Sequence, residues 1–196
     1  MRARYPMSLR TFANIPLAAL LWVTAPSAWP AKLDQFEVTR KGPEYLVTLD
    51  AVVTGESRRL FQLVADYNHW PRLNSAILES ELIRSTDEFH HTVRSVTHAC
   101  IIFFCRDITQ LQDIVELENM GIDARTIPDQ SDFRQGIVEW RIEPTDQEHS
   151  HISVYARLEP DFWIPPLIGP WIVKYVLRRE ALETIESLEK LGSPGQ

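Results

Sequence analysis

The chain has 196 residues, 44% hydrophobic and 24% charged, with a formal net charge of -7 and only two cysteines. That composition is ordinary for a globular protein, and it excludes a low-complexity or disulfide-dense chain. The acidic balance makes nucleic acid and anionic membrane surfaces poor partners.

At the N-terminus, Arg2, Arg4 and Arg10 precede the short apolar run Ile15 to Val23, and small residues follow. This is the layout of a secretory signal peptide over residues 1–27, with cleavage expected between 25 and 31. It predicts a periplasmic or secreted protein. The alternative is an uncleaved membrane anchor, for which a run broken by Pro16 is short against the roughly 20 apolar residues a spanning helix needs. Without residues 1–27, 17 basic residues face 27 acidic ones. One domain is expected over 34–191, with "GSPGQ" (192–196) as a disordered tail.

From Phe36 to Val53 a loose alternation of apolar and polar residues surrounds "RKGP", predicting two strands joined at Lys41-Gly42-Pro43. The period then changes. Leu60, Phe61, Val64 and Tyr67 share a helical face, Pro71 ends or bends that helix, and "WPRLNSAI" reads as a second short helical turn. Strands are expected near 77–86, 88–99, 106–118, 121–127, 136–144 and 150–159, with "CIIFFC" and "PDQSDFRQ" among the turns. In the last two strands Val138, Trp140 and Ile142, and Ile152, Val154, Ala156 and Leu158, form apolar faces opposite polar ones. Such faces need a cover. Ile172, Tyr175, Val176, Leu182, Ile185 and Leu188 recur at helical spacing in a long terminal helix that can supply it. The preceding "FWIPPLIGP" is a proline-stiffened apolar loop; its prolines with Lys174, Arg178 and Arg179 argue against a membrane span there.

This order of elements, with "ADYNHWPRLNSAI" after the first helix, resembles the START-like helix-grip superfamily, also called SRPBCC. Asp66-Tyr67, Pro71 and Ile77 carry the resemblance. "CIIFFC", "SDFRQGIVEW" and "PDFWIPPLIGP" look like an exported proteobacterial branch, related to polyketide cyclases and coenzyme Q-binding START-domain proteins. The resemblance implies an α+β fold: a curved antiparallel sheet wrapped around the long C-terminal helix, two short helices after the first strands, and an apolar cavity between sheet and helix.

Cys100 and Cys105 are the only cysteines. In one extended strand they would stand about 16 Å apart, whereas a hairpin turn would make them cross-strand neighbours. Export favours a bridge over two free thiols. A redox pair or metal site is disfavoured, because the spacing is not Cys-x-x-Cys and no close histidine set accompanies it. The histidines are expected at solvated or core-edge positions, with His98 the one to watch. No nucleophile elbow, zincin helix, phosphate loop or dinucleotide fingerprint occurs, so no cofactor and no metal is expected.

Aromatic residues concentrate in the C-terminal third. Trp140, Phe162, Trp163, Leu167, Trp171 and Tyr175 are the candidate cavity wall, with plain core as the rival reading for Trp140 and Tyr175. Arg141 or Arg157 could meet a polar head, although strand parity places both opposite the apolar faces. The expected function is a non-enzymatic binding or carrier protein for a hydrophobic small molecule such as a lipid or quinone, with transient membrane contact. The rivals are a cavity enzyme of cyclase, dehydratase or hydrolase type using His98 or a buried carboxylate, and an envelope interaction module without ligand.

Overall fold

The computed structural model describes residues 32–101, 104–164 and 170–193. The expected signal segment, its cleavage window and Leu167 lie outside them. The element order is β1 (Lys32–Lys41), β2 (Glu44–Thr54), α1 (Ser57–Ala65), a 3-10 segment (Tyr67–Arg72), β3 (Ile77–Ser85), β4 (His90–Ile101), β5 (Phe104–Leu117), β6 (Gly121–Thr126), a 3-10 turn (Pro128–Gln130), β7 (Phe133–Pro144), β8 (His149–Pro160) and α2 (Pro170–Gly192).

All eight strands pair antiparallel in the order β1-β2-β8-β7-β6-β5-β4-β3. The last strand therefore inserts beside the N-terminal hairpin, and the curved sheet presents one continuous apolar face to α1 and α2. Register fixes that face. Ala51 pairs with Ile152 and Ile152 with Ile142, and all three are almost completely buried. Side chains alternate with period two, so a one-residue slip would turn the whole set to solvent.

Bulges on β1 and β7 change which residues of those strands point inward. On β1 the register shifts between Leu33 and Gln35, so that Leu33 is buried together with Phe36 and Val38, which have the opposite parity. On β7 the shift between Phe133 and Gln135 does the same for Phe133, which is buried although Val138, Trp140 and Ile142 have the other parity.

Short helices form the closed end. Leu60, Val64 and Tyr67 are buried, and the chain kinks at His69 before Pro71. The following Asn74 is a latch: its amide donates to Glu180 O at 2.9 Å and Thr184 Oγ1 at 3.0 Å on α2, while its carbonyl accepts from Ala76 N at 2.8 Å. Ile185 and Leu188 of α2 are fully buried. Gly192 belongs to this packing rather than to a tail from residue 192, since a Cβ there would lie 2.5 Å from Leu60 Cδ2. Arg59 Nη2 donates to Leu191 O at 2.9 Å, satisfying a carbonyl of the last turn.

Two expectations are corrected locally. "CIIFFC" is not a turn throughout, because β4 and β5 stay paired to Ile101 opposite Phe104. "PDQSDFRQ" is only partly a turn, because β7 starts at Phe133. No helix among the described residues is long and apolar enough to cross a membrane.

Candidate functional site

Helix α2 is packed solidly at its C-terminal half and roofs a cavity of about 340 Å³ with Val173, Val176 and Leu177 of its N-terminal half. Tyr45 and Val47 of β2, Leu158 and Pro160 of β8, and Phe133 of β7 form the floor. Ala99, Cys105, Arg106 and Ile108 of the β4–β5 hairpin close one side; Phe162, Trp163 and Ile164 after β8 close another.

The floor follows from pairing. Tyr45 and Gly136 both stand opposite Leu158. At Gly136 a side chain would collide with Thr126 Oγ1 and approach Leu158 Cδ2 to 3.2 Å, so glycine leaves room for Leu158 in the cavity wall. Phe133, turned inward by the β7 bulge, meets Phe162 edge-to-face at 6.1 Å.

Among the described lining residues Arg106 alone is charged. Its Nη2 lies 2.8 Å from Asp132 Oδ1, and its guanidinium sits 4.4 Å above the Phe162 ring. Asp132 in turn accepts a 2.7 Å hydrogen bond from Thr109 N. The carboxylate and the ring thus hold one cation beside an otherwise apolar wall. Such a site can bury an apolar body and leave a polar head within reach of Arg106.

Of the sequence-predicted wall, Phe162 and Trp163 line the cavity, and Trp163, 72% exposed, stands at its mouth. Trp140 lies outside the lining, half-buried against the core, in register between Ile122 and Val154. Trp171 and Tyr175 are 73% and 68% exposed. At 100° per residue they share a stripe nearly opposite Val173 and Leu177, so helical phase turns them away from both cavity and core. Arg141 forms an ion pair with Asp123 at 2.8 Å and Arg157 one with Glu44, both outside the lining. His98 also lies outside it. Sequence reasoning missed Tyr45, Val47, Phe133, Arg106, Val173 and Leu177. The signal for Tyr45 and Val47 was the alternation continuing through Leu49, Ala51 and Val53.

A separate polar cluster occupies the other end of the sheet. Tyr67 Oη donates to Glu116 Oε1 at 2.7 Å, His91 Nε2 lies 3.2 Å from the same oxygen, and His91 Nδ1 is 2.9 Å from Ser85 Oγ. Burial, then the Glu116 hydrogen bond and charge, push the Tyr67 hydroxyl well above its ordinary 10.0. His91 is eight residues before Ala99 on β4, about 26 Å at the strand rise, so the cluster is no part of the cavity.

The family described as polyketide cyclase/dehydrase and lipid transport matches residues 55–188, and no curated protein sequence matches the chain. The fold is shared with a START superfamily protein from Mycobacterium smegmatis (16% identity, TM-score 0.61, 75% of this chain and 96% of that one). It is also shared with the Zhui aromatase/cyclase from Streptomyces sp. R1128 (12%, 0.61, 76% and 93%). A STAR-related lipid transfer protein from Xanthomonas axonopodis gives 13% identity and a TM-score of 0.61, over 82% of this chain and 97% of that fragment. At such identities the likeness establishes the fold: a START-like helix grip. Because the matched residues make up more than half of its length, the chain belongs to the polyketide cyclase/dehydrase and lipid-transport family.

Proposed function

We propose that the protein is a periplasmic binding or carrier protein for a hydrophobic small molecule, a lipid, isoprenoid quinone or similar, held between the sheet and α2. The observation that carries this reading is the cavity of about 340 Å³ whose described lining is apolar except at Arg106. That volume lies within the ~300–1,000 Å³ usual for small-molecule sites, and each methylene buried contributes about 0.8 kcal/mol. The described lining contains no histidine and no carboxylate, which favours binding over acid/base chemistry in the cavity. The Xanthomonas axonopodis neighbour, a STAR-related lipid transfer protein, supports the same reading. Export is supported by the N-terminal layout and by the Cys100–Cys105 disulfide, a bond that persists in oxidising compartments. The exposed rings of Trp163, Trp171 and Tyr175 support transient contact with a membrane surface.

The test is mass spectrometry of organic extracts from protein purified out of the periplasm, together with titration of a fluorescent hydrophobic probe. An apolar compound recovered above background and saturable probe fluorescence are expected. Recovery of none, with no probe response, would refute the binding reading. N-terminal sequencing of the same material is expected to begin between residues 25 and 31.

A further inference from the structure

The end of the β4–β5 hairpin carries a side-chain cluster of which Cys105 touches the cavity wall, and to which the ligand-binding reading gives no chemical role. Two adjacent cross-strand pairs, His98 opposite Asp107 and Cys100 opposite Cys105, share one face by strand alternation. The cysteines are joined as a disulfide, with their Cα atoms 4.0 Å apart. His98 Nδ1 lies 2.6 Å from Asp107 Oδ1, and its other nitrogen, Nε2, lies 3.2 Å from Cys100 Sγ. Cys105 is exposed and Cys100 half-buried. A disulfide with a purely structural role has no need of this arrangement. A carboxylate that fixes one ring nitrogen and leaves the other aimed at a sulfur is suited to holding that sulfur as a thiolate. The geometry answers one of the two sequence-based objections to a redox pair: the spacing is still not Cys-x-x-Cys, but strand alternation sets His98, two residues before Cys100 on β4, against its sulfur, and the cross-strand Asp107 holds the ring.

We infer that Cys100–Cys105 is a thiol–disulfide exchange site that reacts with a dithiol, with His98 and Asp107 as its positioning residues. A thiolate of the dithiol attacks the exposed Cys105 Sγ and forms a mixed disulfide. The Cys100–Cys105 bond breaks, and its electron pair goes to Cys100 Sγ, which is stabilised by the Nε2–H of His98. The second thiol of the donor, as thiolate, then attacks its own sulfur in the mixed disulfide and releases Cys105. The donor becomes a disulfide, two electrons reach the protein, and of the two donor protons one ends on Cys105 and the other on His98, whose doubly protonated ring bridges the Asp107 carboxylate and the Cys100 thiolate. This site does not rest on the cavity reading.

The test uses the full chain. Reduced protein is alkylated with iodoacetamide across pH 5–10, and the modified cysteine is identified by peptide mass spectrometry. Cys100 is expected to react at pH 6 at about tenfold the rate of a free thiol, whose thiolate forms near pH 8.5. Reduction of the oxidised protein by dithiothreitol at pH 7 is expected to slow about tenfold in His98→Ala, and by less in Asp107→Asn, because a poorer leaving thiolate departs more slowly. Both side chains are about half exposed, so the substitutions leave the core intact. A Cys100 that alkylates with the pH profile of a free thiol would overturn the inference. So would equal reduction rates in the parent and His98→Ala; the first measurement needs no variant.

Discussion

Under the proposed binding role, Arg106 is the residue on which ligand preference is expected to turn. It is nearly half exposed and already paired with Asp132, so its contribution to stability is small, but it is the one cation in the described wall. Arg106→Leu is expected to weaken binding of a long-chain carboxylate probe about tenfold, equivalent to about 1.4 kcal/mol, and to leave a neutral analogue within about twofold. Comparing the two probes by fluorescence titration checks this. Tyr67 gives a pH prediction. Its folded hydroxyl holds its proton above the ordinary 10.0, so the stabilisation is complete below that pH and is lost as the pH rises beyond it. Thermal melts from pH 8 to 11 are expected to show the parent falling more steeply above pH 10 than Tyr67→Phe; parallel curves would show that the hydroxyl does not titrate differently on folding. Neither role could be read from the sequence. Arg106 lies in the stretch "CRDITQ", and Glu116, ten residues on, meets Tyr67 only through the fold.

Among the elements, α2 depends on its docking to the segment after α1. Asn74→Ala removes an amide that donates to Glu180 O and Thr184 Oγ1 from a buried position. A loss of about 1–3 kcal/mol is expected in denaturant melts, since buried polar groups lose their partner. The strands were largely legible. "GIDARTI" was expected as 121–127 and is Gly121–Thr126, because turn residues and alternation bound it on both sides. Less legible were the bulges on β1 and β7. Parity arguments assume an unbroken period of two, and the shift at Phe133 moves a ring that sequence had assigned to a turn into the cavity. Tyr175 shows the corresponding weakness of helical patterning: it falls within the periodic set, but α2 rotates it with Trp171 toward solvent. A wide apolar stripe does not specify which of its edges meets the sheet.

For the whole molecule, the grip has two regimes: a filled core where α1, α2 and the sheet converge on Leu60, Ile185 and Leu188, and a cavity where the first turns of α2 face β2 and β8. A substitution that fills the second without disturbing the first separates binding from folding. Val176→Trp is expected to abolish probe binding while changing stability by less than about 3 kcal/mol, the usual range for added bulk at a site with space beside it. Probe titration and urea melts on the same protein check both halves, and a variant that still binds would place the ligand elsewhere.

What the sequence determined by itself is the set of local periods: alternation that makes strands, a 3.6-residue pattern that makes the terminal helix, and the resemblance that predicted a helix grip. Those properties depend on neighbours a few residues apart. The tertiary structure decided which apolar residues fill the core and which leave a cavity. It also placed Arg106 beside Phe162 and, through the pairing of β4 with β5, brought Asp107 against His98 and Cys105 against Cys100. Bulges, strand insertion and helix rotation set these contacts, and each depends on the packing of elements distant in the chain.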